Sequence, residues 1–309
     1  MKVAFFGSPE FAAIILQGLV NSDIVSVVGI VTQPDKQAGR GRKPRATPVK
    51  ELALKQNIPI LQPHTLKDER VIDSIRSFEA DLFVVAAYGL IIPRDVLNIP
   101  RYGAINVHGS LLPKYRGAAP IQWAVLNGEK VTGITIMQMD EGLDTGHIIL
   151  QRSLAIGIYD TAQDLHNELA HLGSRLLIEA IEKIRDHKVI LIPQDESLSS
   201  YAPKLSKDMG EIDWNMPVLD VHNKIRGLYP WPMAFFNFQL KDRNIRVQVF
   251  PGKLGRELCN ISPGSILGIT DGYLEVACKD RSYLIPKLKP ESSKILSGPE
   301  FWCGYLGNR

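Results

Sequence analysis

The sequence predicts an α/β protein: a Rossmann-like domain with a mostly parallel sheet, followed by a small C-terminal β-barrel domain of the oligonucleotide-binding (OB-like) kind. Three observations support this prediction. The chain opens with a buried strand, an apolar-periodic helix and a second buried strand, an order that requires a parallel crossover. Its 309 residues exceed one ordinary domain. Beyond residue 230, short apolar runs alternate with glycine and proline turns, as in small barrels.

Continuous apolar runs and apolar residues at helical spacing define the elements of the first domain. The predicted strands are 2–6, 24–31, 58–61, 81–88, 103–108, 132–139 and 147–156, and the predicted helices are 11–20, 48–56, 67–77, 119–127 and 161–187. Nearly continuous apolarity is typical of strands that are buried on both faces of a parallel sheet. Because such sheets bind ligands at the carboxyl ends of their strands, the residues that follow these strands are the first candidates for a site.

A polar stretch rich in proline and serine marks the boundary between the two domains. We predict a catalytic domain at 1–189, a linker at 190–206 and a C-terminal domain at 207–309. The elements predicted for the last domain are a helix at 217–227 and strands at 233–238, 245–250, 264–270, 272–278 and 282–287.

The composition excludes several classes of protein. No apolar run approaches the 18 or so residues of a membrane span, so we expect a cytoplasmic protein without a membrane partner. Its three cysteines lack disulfide or zinc-site spacing, and its histidines are not grouped as metal ligands are. We therefore predict no metal, and no obligate protein partner is indicated.

Positive charge is concentrated in two places. Residues 204–309 hold 15 Lys and Arg against 11 Asp and Glu. In the first domain, six cations occur within the fifteen residues 36–50, with no acid among them. Such a loop is a candidate for binding phosphates, and the residues that we expect to contact RNA there are Lys36, Arg40, Arg42, Lys43 and Arg45.

The most informative residues leave the end of the predicted strand 103–108. Because side chains alternate along a strand, Asn106 and His108 lie on the same face. An amide N–H can donate to a developing oxyanion, and an imidazole can exchange a proton near neutral pH. The glycine-flanked turn 140–146 carries Asp144, a carboxylate that could orient His108 and stabilise its charge. Together these groups suit attack on a carbonyl carbon.

Two segments around these residues resemble the core motifs of the folate-dependent formyltransferases: NVHGSLLPKYRGAAPIQWA and GITIMQMDEGLDTG. The similarity continues along the whole chain, through FFGSPEFA, TQPDKQAGRGRK, VVAAYGLIIP and YPWPMAF. Over this length it resembles the family members that formylate initiator methionyl-tRNA. One departure is His147, where the pattern has an acidic or neutral polar residue.

The resemblance implies a set of roles. It makes Asn106, His108 and Asp144 catalytic, and it places the folate site along Ser110, Leu111, Leu112 and Pro113. It implies 10-formyltetrahydrofolate as the formyl donor and initiator methionyl-tRNA as the acceptor. The amine would attack the formyl carbon directly, without an acylated enzyme residue.

Three alternatives remain open on the residues alone. A formyltransferase acting on a small amine, such as an aminosugar nucleotide or a purine precursor, would share the catalytic motif, but the basic loop argues for a larger phosphate-rich acceptor. A non-catalytic RNA-binding protein would not need the Asn-His-Asp set. A nicotinamide dehydrogenase would need three glycines in the first turn, where GSPEF has one.

Overall fold

The computed structural model describes residues 1–38, 43–240 and 243–307, without the side chains of 37, 38, 43 and 44. The chain forms two compact units, the first made of 1–120, 132–154 and 166–202, and the second of 121–131, 155–165 and 203–309. Two segments that precede the predicted linker thus group with the C-terminal residues. The predicted domain limits stay predictions.

The elements up to residue 202 are β1 (Lys2–Gly7), α1 (Glu10–Val20), β2 (Ser26–Val31), β3 (Lys36–Ala38), β4 (Lys43–Arg45), α2 (Pro48–Lys55), β5 (Ile60–Leu61), α3 (Glu69–Arg76), β6 (Leu82–Ala86), α4 (Arg94–Leu97), β7 (Ala104–His108), β8 (Arg116–Gly117), α5 (Pro120–Leu126), β9 (Val131–Gln138), β10 (Ile148–Ala155), α6 (Ala162–Arg185) and β11 (Tyr201–Ala202). The later elements are α7 (Val218–Gly227), β12 (Ala234–Leu240), β13 (Arg243–Val249), β14 (Lys253–Glu257), β15 (Ile266–Thr270), β16 (Tyr273–Ala277), β17 (Arg281–Ile285), β18 (Lys287–Pro290), β19 (Leu296–Ser297) and α8 (Gly298–Tyr305).

Seven strands of the first unit form one sheet, in the order β10-β9-β7-β6-β1-β2-β5. Strand β1 pairs in parallel with β2 and β6, β2 with β5, and β6 with β7, whereas β7 and β9 are antiparallel. The mostly parallel sheet confirms the predicted fold class. The carboxyl ends of β2, β1, β6 and β7 therefore meet at one edge, as expected for a ligand site.

Strands β1 and β6 are buried because they are almost entirely apolar. All five residues of β6 are buried, as are Val3 to Gly7 of β1. Helix α3 turns Ile72 and Ile75 toward this core and its charged residues outward, the pattern of an amphipathic helix on a sheet. No helix among the described residues is long and apolar enough to cross a membrane.

The second unit contains two four-stranded sheets, in the orders β12-β13-β18-β19 and β14-β17-β16-β15. Each strand pair with a defined register is antiparallel. Apolar residues from both sheets and from α7 and α8 form one core, which includes Ile225, Phe236, Tyr283 and Phe301. This strand-rich unit agrees with the predicted class, and closure into a barrel remains a prediction.

Helix α7 buries a polar network in the second unit. His222 Nε2 donates to the carbonyl of Ile158 at 2.6 Å, and its Nδ1 lies 3.2 Å from the Tyr283 hydroxyl. That hydroxyl accepts from the backbone N–H of Gly252, so its own hydrogen is free to point at Nδ1. The ring is therefore held neutral, and burial lowers the pKa of His222 below its ordinary value.

Candidate active site

Strand β7 carries the predicted amide and imidazole. It lies between β6 and β9, with Asn106 opposite Met137 and His108 opposite Thr135. The period-two alternation places both side chains on one face. His108 is only 5% exposed, and Asn106 is half-buried.

Asp144 approaches this pair from the loop that joins β9 to β10. Its Oδ1 lies 3.4 Å from Nδ2 of Asn106, and its Oδ2 lies 3.6 Å from Nδ1 of His108. The residue has a φ of +54°, a left-handed conformation that non-glycine residues adopt only at a cost. The structure thus brings the three predicted catalytic residues into one cluster at the carboxyl end of β7.

The backbone at 115–117 supplies two further contacts to the cluster. The carbonyl of Tyr115 lies 2.9 Å from Nε2 of His108, and because a carbonyl only accepts, this ring nitrogen donates. The N–H of Gly117 donates to Oδ2 of Asp144 at 2.8 Å. Nδ1 is therefore the ring nitrogen on the side of Asn106 and Asp144.

The segment predicted to line a folate site runs directly from β7. Ser110 and Leu112 are buried, whereas Leu111 and Pro113 are half-buried. The Ser110 hydroxyl donates to the carbonyl of Lys114 at 2.6 Å, and Leu112 packs in a small apolar cluster. Ser110 and Leu112 therefore shape the loop from within, and only Leu111 and Pro113 leave side-chain surface for a ligand.

Exposed apolar side chains that the sequence did not predict lie near the carboxyl ends of the strands. Leu90 and Ile91 follow β6, and Ile91 is 89% exposed. Leu143, beside Asp144, is also exposed. An ion pair of 3.2 Å between Arg94 and Glu141 joins the two loops. Continuous apolar sequence at 90–92 is the signal that could have identified them, but the same pattern also predicts a buried turn.

The segment 194–202, here called the strap, is hydrogen-bonded to the backbone at 115–117 beside the cluster. Its strand β11 pairs in parallel with β8. Ser200 accepts from the backbone N–H of Arg116 through its carbonyl at 2.8 Å, and from that of Tyr115 through its hydroxyl at 2.9 Å. Hydrogen bonds to Glu196 raise the pKa of Arg116 above its ordinary value. The proline- and serine-rich sequence predicted a linker here and gave no sign of these contacts.

The predicted basic loop begins and ends in a short hairpin. Strands β3 and β4 are antiparallel, and Lys36 lies opposite Arg45, with both side chains exposed. Lys43 belongs to β4, but its side chain lies outside the description. Arg40 and Arg42 lie outside the described residues.

A depression of about 600 Å³ lies at the carboxyl ends of β1 and β2. Its walls include Ser8, Gln33 and Thr47, together with the two hairpin cations Lys36 and Arg45. Strands β6 and β1 are the next two after β7 in the sheet, so about 10 Å separate β1 from β7. The depression and the Asn-His-Asp cluster therefore share one edge.

The described residues contain no group of three or more His, Cys, Asp or Glu side chains that could hold a metal ion. The predicted absence of a metal stays a prediction. His147 is exposed, and its carbonyl accepts from the N–H of Gln138 at 2.8 Å.

Two family models and two similar proteins indicate the same family. Residues 1–181 match the formyl transferase family, and residues 204–306 match the formyl transferase C-terminal domain. A methionyl-tRNA formyltransferase from Nitratidesulfovibrio vulgaris is 47% identical over 308 residues, which cover 99% of this chain and 93% of the relative. One from Acetivibrio thermocellus is 46% identical over 305 residues, covering 99% and 97%.

Solved structures share the fold at lower sequence identity. HypX from Aquifex aeolicus in complex with tetrahydrofolic acid aligns with a TM-score of 0.66 at 18% identity, over 99% of this chain and 48% of HypX. An N-formyltransferase from Helicobacter canadensis, in complex with folinic acid and dTDP-3-aminofucose, aligns with a TM-score of 0.65 at 20% identity, over 92% and 98%.

Proposed function

This chain belongs to the formyl transferase family, and from that premise we propose that it transfers the formyl group of 10-formyltetrahydrofolate to the amino group of initiator methionyl-tRNA. The observation that carries the proposal is the contact of Asp144 with Asn106 at 3.4 Å and with His108 at 3.6 Å, at the carboxyl end of β7. Relatives 46–47% identical over nearly the whole chain carry the name of that activity, which supports the choice of acceptor.

The chemistry needs no strong base. The amine of an aminoacyl ester should have a pKa no higher than the free α-amino value of about 7.7 to 8, so roughly a tenth or more of it is already unprotonated at pH 7. The amine nitrogen attacks the formyl carbon and forms the new C–N bond. The bond from that carbon to the folate nitrogen then breaks, and the proton lost by the amine ends on that nitrogen.

The enzyme's side chains act on the charge that develops during this transfer. Nδ2 of Asn106 donates to the oxyanion, a contribution of about 3 kcal/mol for one such donor. His108 uses Nδ1, since Nε2 is occupied by the carbonyl of Tyr115, to donate to the oxyanion and to return a proton to the leaving nitrogen. The carboxylate of Asp144, whose Oδ2 lies 3.6 Å from Nδ1, offsets the positive charge of the ring while it carries this proton.

The folate donor would bind to the exposed apolar surface formed by Leu90, Ile91 and Leu143. A pteridine is flat and largely apolar on its faces, and binding pockets are mostly lined by such side chains. Leu111 and Pro113, in the segment that follows β7, leave additional side-chain surface for the folate. Of the predicted folate segment 110–113, we therefore expect only Leu111 and Pro113 to contact the folate through their side chains.

A matched pair of isoleucines tests the folate site. Ile91→Ser should raise the KM for 10-formyltetrahydrofolate roughly 3- to 10-fold, because it removes part of the 1.5–3 kcal/mol that burial of a large apolar side chain provides. Ile190→Ser changes another exposed isoleucine, 79% exposed in the same unit, and should leave that KM unaltered. Equal KM values for the two variants would place the folate elsewhere.

The acceptor end of the tRNA would occupy the depression beside the hairpin. The paired cations Lys36 and Arg45 and the polar side chains of Ser8 and Thr47 suit a ribose-phosphate chain, and the shared edge lets an attached aminoacyl group reach His108. Arg40 and Arg42, each flanked by glycine in the sequence, would add phosphate contacts.

The second unit offers a basic sheet face for the body of the tRNA. In the antiparallel register, Gln248 lies opposite Lys289 and Asn237 opposite Arg246. Their alternation with buried residues places these side chains, and Lys287, on the outer face. Contacts there would be chiefly to phosphates and 2′-hydroxyls, since A-form RNA hides its base edges.

One experiment tests the proposed function. Purified protein is incubated with 10-formyltetrahydrofolate and a mixture of charged initiator methionyl-tRNA and an aminosugar nucleotide. We expect formyl transfer to the methionyl amine and little to the sugar. Transfer to the aminosugar alone would replace this function with the small-amine alternative, and transfer to neither would remove both.

A further inference from the structure

The strap residue Gln194 connects the two loops that surround His108. Its Nε2 donates to the carbonyl of Asp144 and to that of Gly146, both at 2.8 Å. Its Oε1 accepts from Arg116, from Nε at 3.1 Å and from Nη2 at 2.8 Å. This orientation of the amide is unambiguous, because carbonyls only accept and a guanidinium only donates.

These bonds form a closed ring of contacts around the carboxylate of Asp144. Gln194 binds the backbone of Asp144 and the side chain of Arg116, and the next residue, Gly117, donates its N–H to Oδ2 of Asp144 at 2.8 Å. The carbonyl of Asp144 is thus bound by the strap, and its carboxylate by the strand β8 that pairs with the strap. Arg116 is 8% exposed and makes two further bonds to Glu196, both at 2.8 Å.

We infer that Gln194 is a positioning residue for the formyl transfer proposed above, which sets the place of Asp144 relative to His108 and Asn106. The contacts of Asp144 with these two side chains are 3.6 and 3.4 Å long, so a small shift of the loop would break both. The left-handed conformation of Asp144 would relax once its carbonyl lost this donor. The side chain of Gln194 binds Arg116 and the backbone of the Asp144 loop, so it acts on the reaction through Asp144.

The test variant is Gln194→Glu. It keeps an acceptor for Arg116 but replaces the two N–H donors with oxygens that repel the carbonyls of Asp144 and Gly146. The matched control is Glu196→Ala, which removes the other partner of Arg116, a carboxylate that is 69% exposed, and leaves the contacts of Gln194 intact. Thermal melting of both variants checks that the fold is retained.

Kinetics separate positioning from a general structural role. Gln194→Glu should lower kcat about 10- to 100-fold, the range expected from misplacing a catalytic group by about 1 Å, with the KM for methionyl-tRNA within about threefold. Glu196→Ala should keep kcat within about threefold, since Glu196 is 69% exposed and Arg116 keeps both of its hydrogen bonds to Gln194. In an Asp144→Asn background, Gln194→Glu should have little further effect on kcat. An undiminished effect in that background would overturn the inference.

Amide hydrogen exchange of the free protein tests the same inference without any substrate. Backbone amides of 141–146 should exchange roughly tenfold or more faster in Gln194→Glu than in the wild type, as expected when two hydrogen bonds to the loop are lost. In Glu196→Ala they should not change. If wild-type protein formylated no methionyl-tRNA, the proposed function would fail while exchange still reported on Gln194; unchanged exchange in Gln194→Glu would overturn the inference itself.

Discussion

Alanine at Gly117 should lower both the stability of the protein and its rate of catalysis. Gly117 has a φ of +117°, and a Cβ there would lie 2.7 Å from the ring of Tyr201 and 2.8 Å from the carbonyl of Ala202. The positive φ alone costs about 1–3 kcal/mol, or a few degrees in Tm. Relief of the clash must move the N–H that donates to Asp144. A hydrogen bond to a charged group is worth about 1.5–3 kcal/mol, so kcat should fall about 10- to 100-fold.

Gly268 provides the matched control for this substitution. Its φ is +129°, close to that of Gly117, but its Cβ would meet nothing within 4 Å, and it lies in the second unit. Gly268→Ala should therefore lower Tm by a similar backbone cost and leave kcat unchanged. The assay is steady-state formylation of methionyl-tRNA beside thermal melting. A Gly117→Ala enzyme with wild-type kcat would refute the role assigned to this N–H.

Three further predictions concern other parts of the molecule. His108→Ala and Asn106→Ala should each lower kcat by about 10²–10⁴ while the Kd for tRNA, measured by filter binding, stays within about twofold, because both groups act on transition-state charge; full-rate variants would exclude them from the chemistry. Burial lowers the pKa of His222 in the folded protein. As the pH falls below about 6.5, the unfolded chain therefore binds a proton at His222 more readily than the folded protein does, which favours unfolding. Stability to urea should therefore decrease with acidification, and His222→Gln should reduce that slope; an equal slope would contradict the assignment. Alanine at both Arg40 and Arg42 should raise the KM for tRNA and flatten the log-log salt dependence of binding by roughly one to two, and an unchanged slope would remove the loop from the tRNA site.

The parallel sheet was predictable because its strands are buried on both faces. Strand β6 is apolar at all five positions, and a continuous apolar run of this length predicts a strand buried on both faces. The placement of Asn106 and His108 followed from alternation on one strand, a local rule that needs no tertiary information. Both successes concern residues whose geometry is set by regular backbone.

Other elements depend on contacts that the sequence does not reveal. The hairpin β3 and β4 was missed because its strands hold three residues each and its composition is that of a charged loop. Helix α8 was missed although Ser297 and Glu300 form a capping box, because the glycine and proline at its start resemble a turn. The strap was read as a linker, since proline and serine are common in connectors.

The proposed catalytic cluster combines two kinds of support, and this determines which substitutions should disturb it. Asn106 and His108 are fixed by the pairing of β7 with parallel β6 and antiparallel β9. Tyr115, Gly117 and Asp144 all have positive φ, and for the two that are not glycine this conformation persists only while neighbouring groups hold it. Among their supports are hydrogen bonds with the strap and with each other. Substitutions in these loops should therefore reduce the rate of formyl transfer, whereas substitutions of the apolar residues packed against β7 should chiefly reduce the folding free energy.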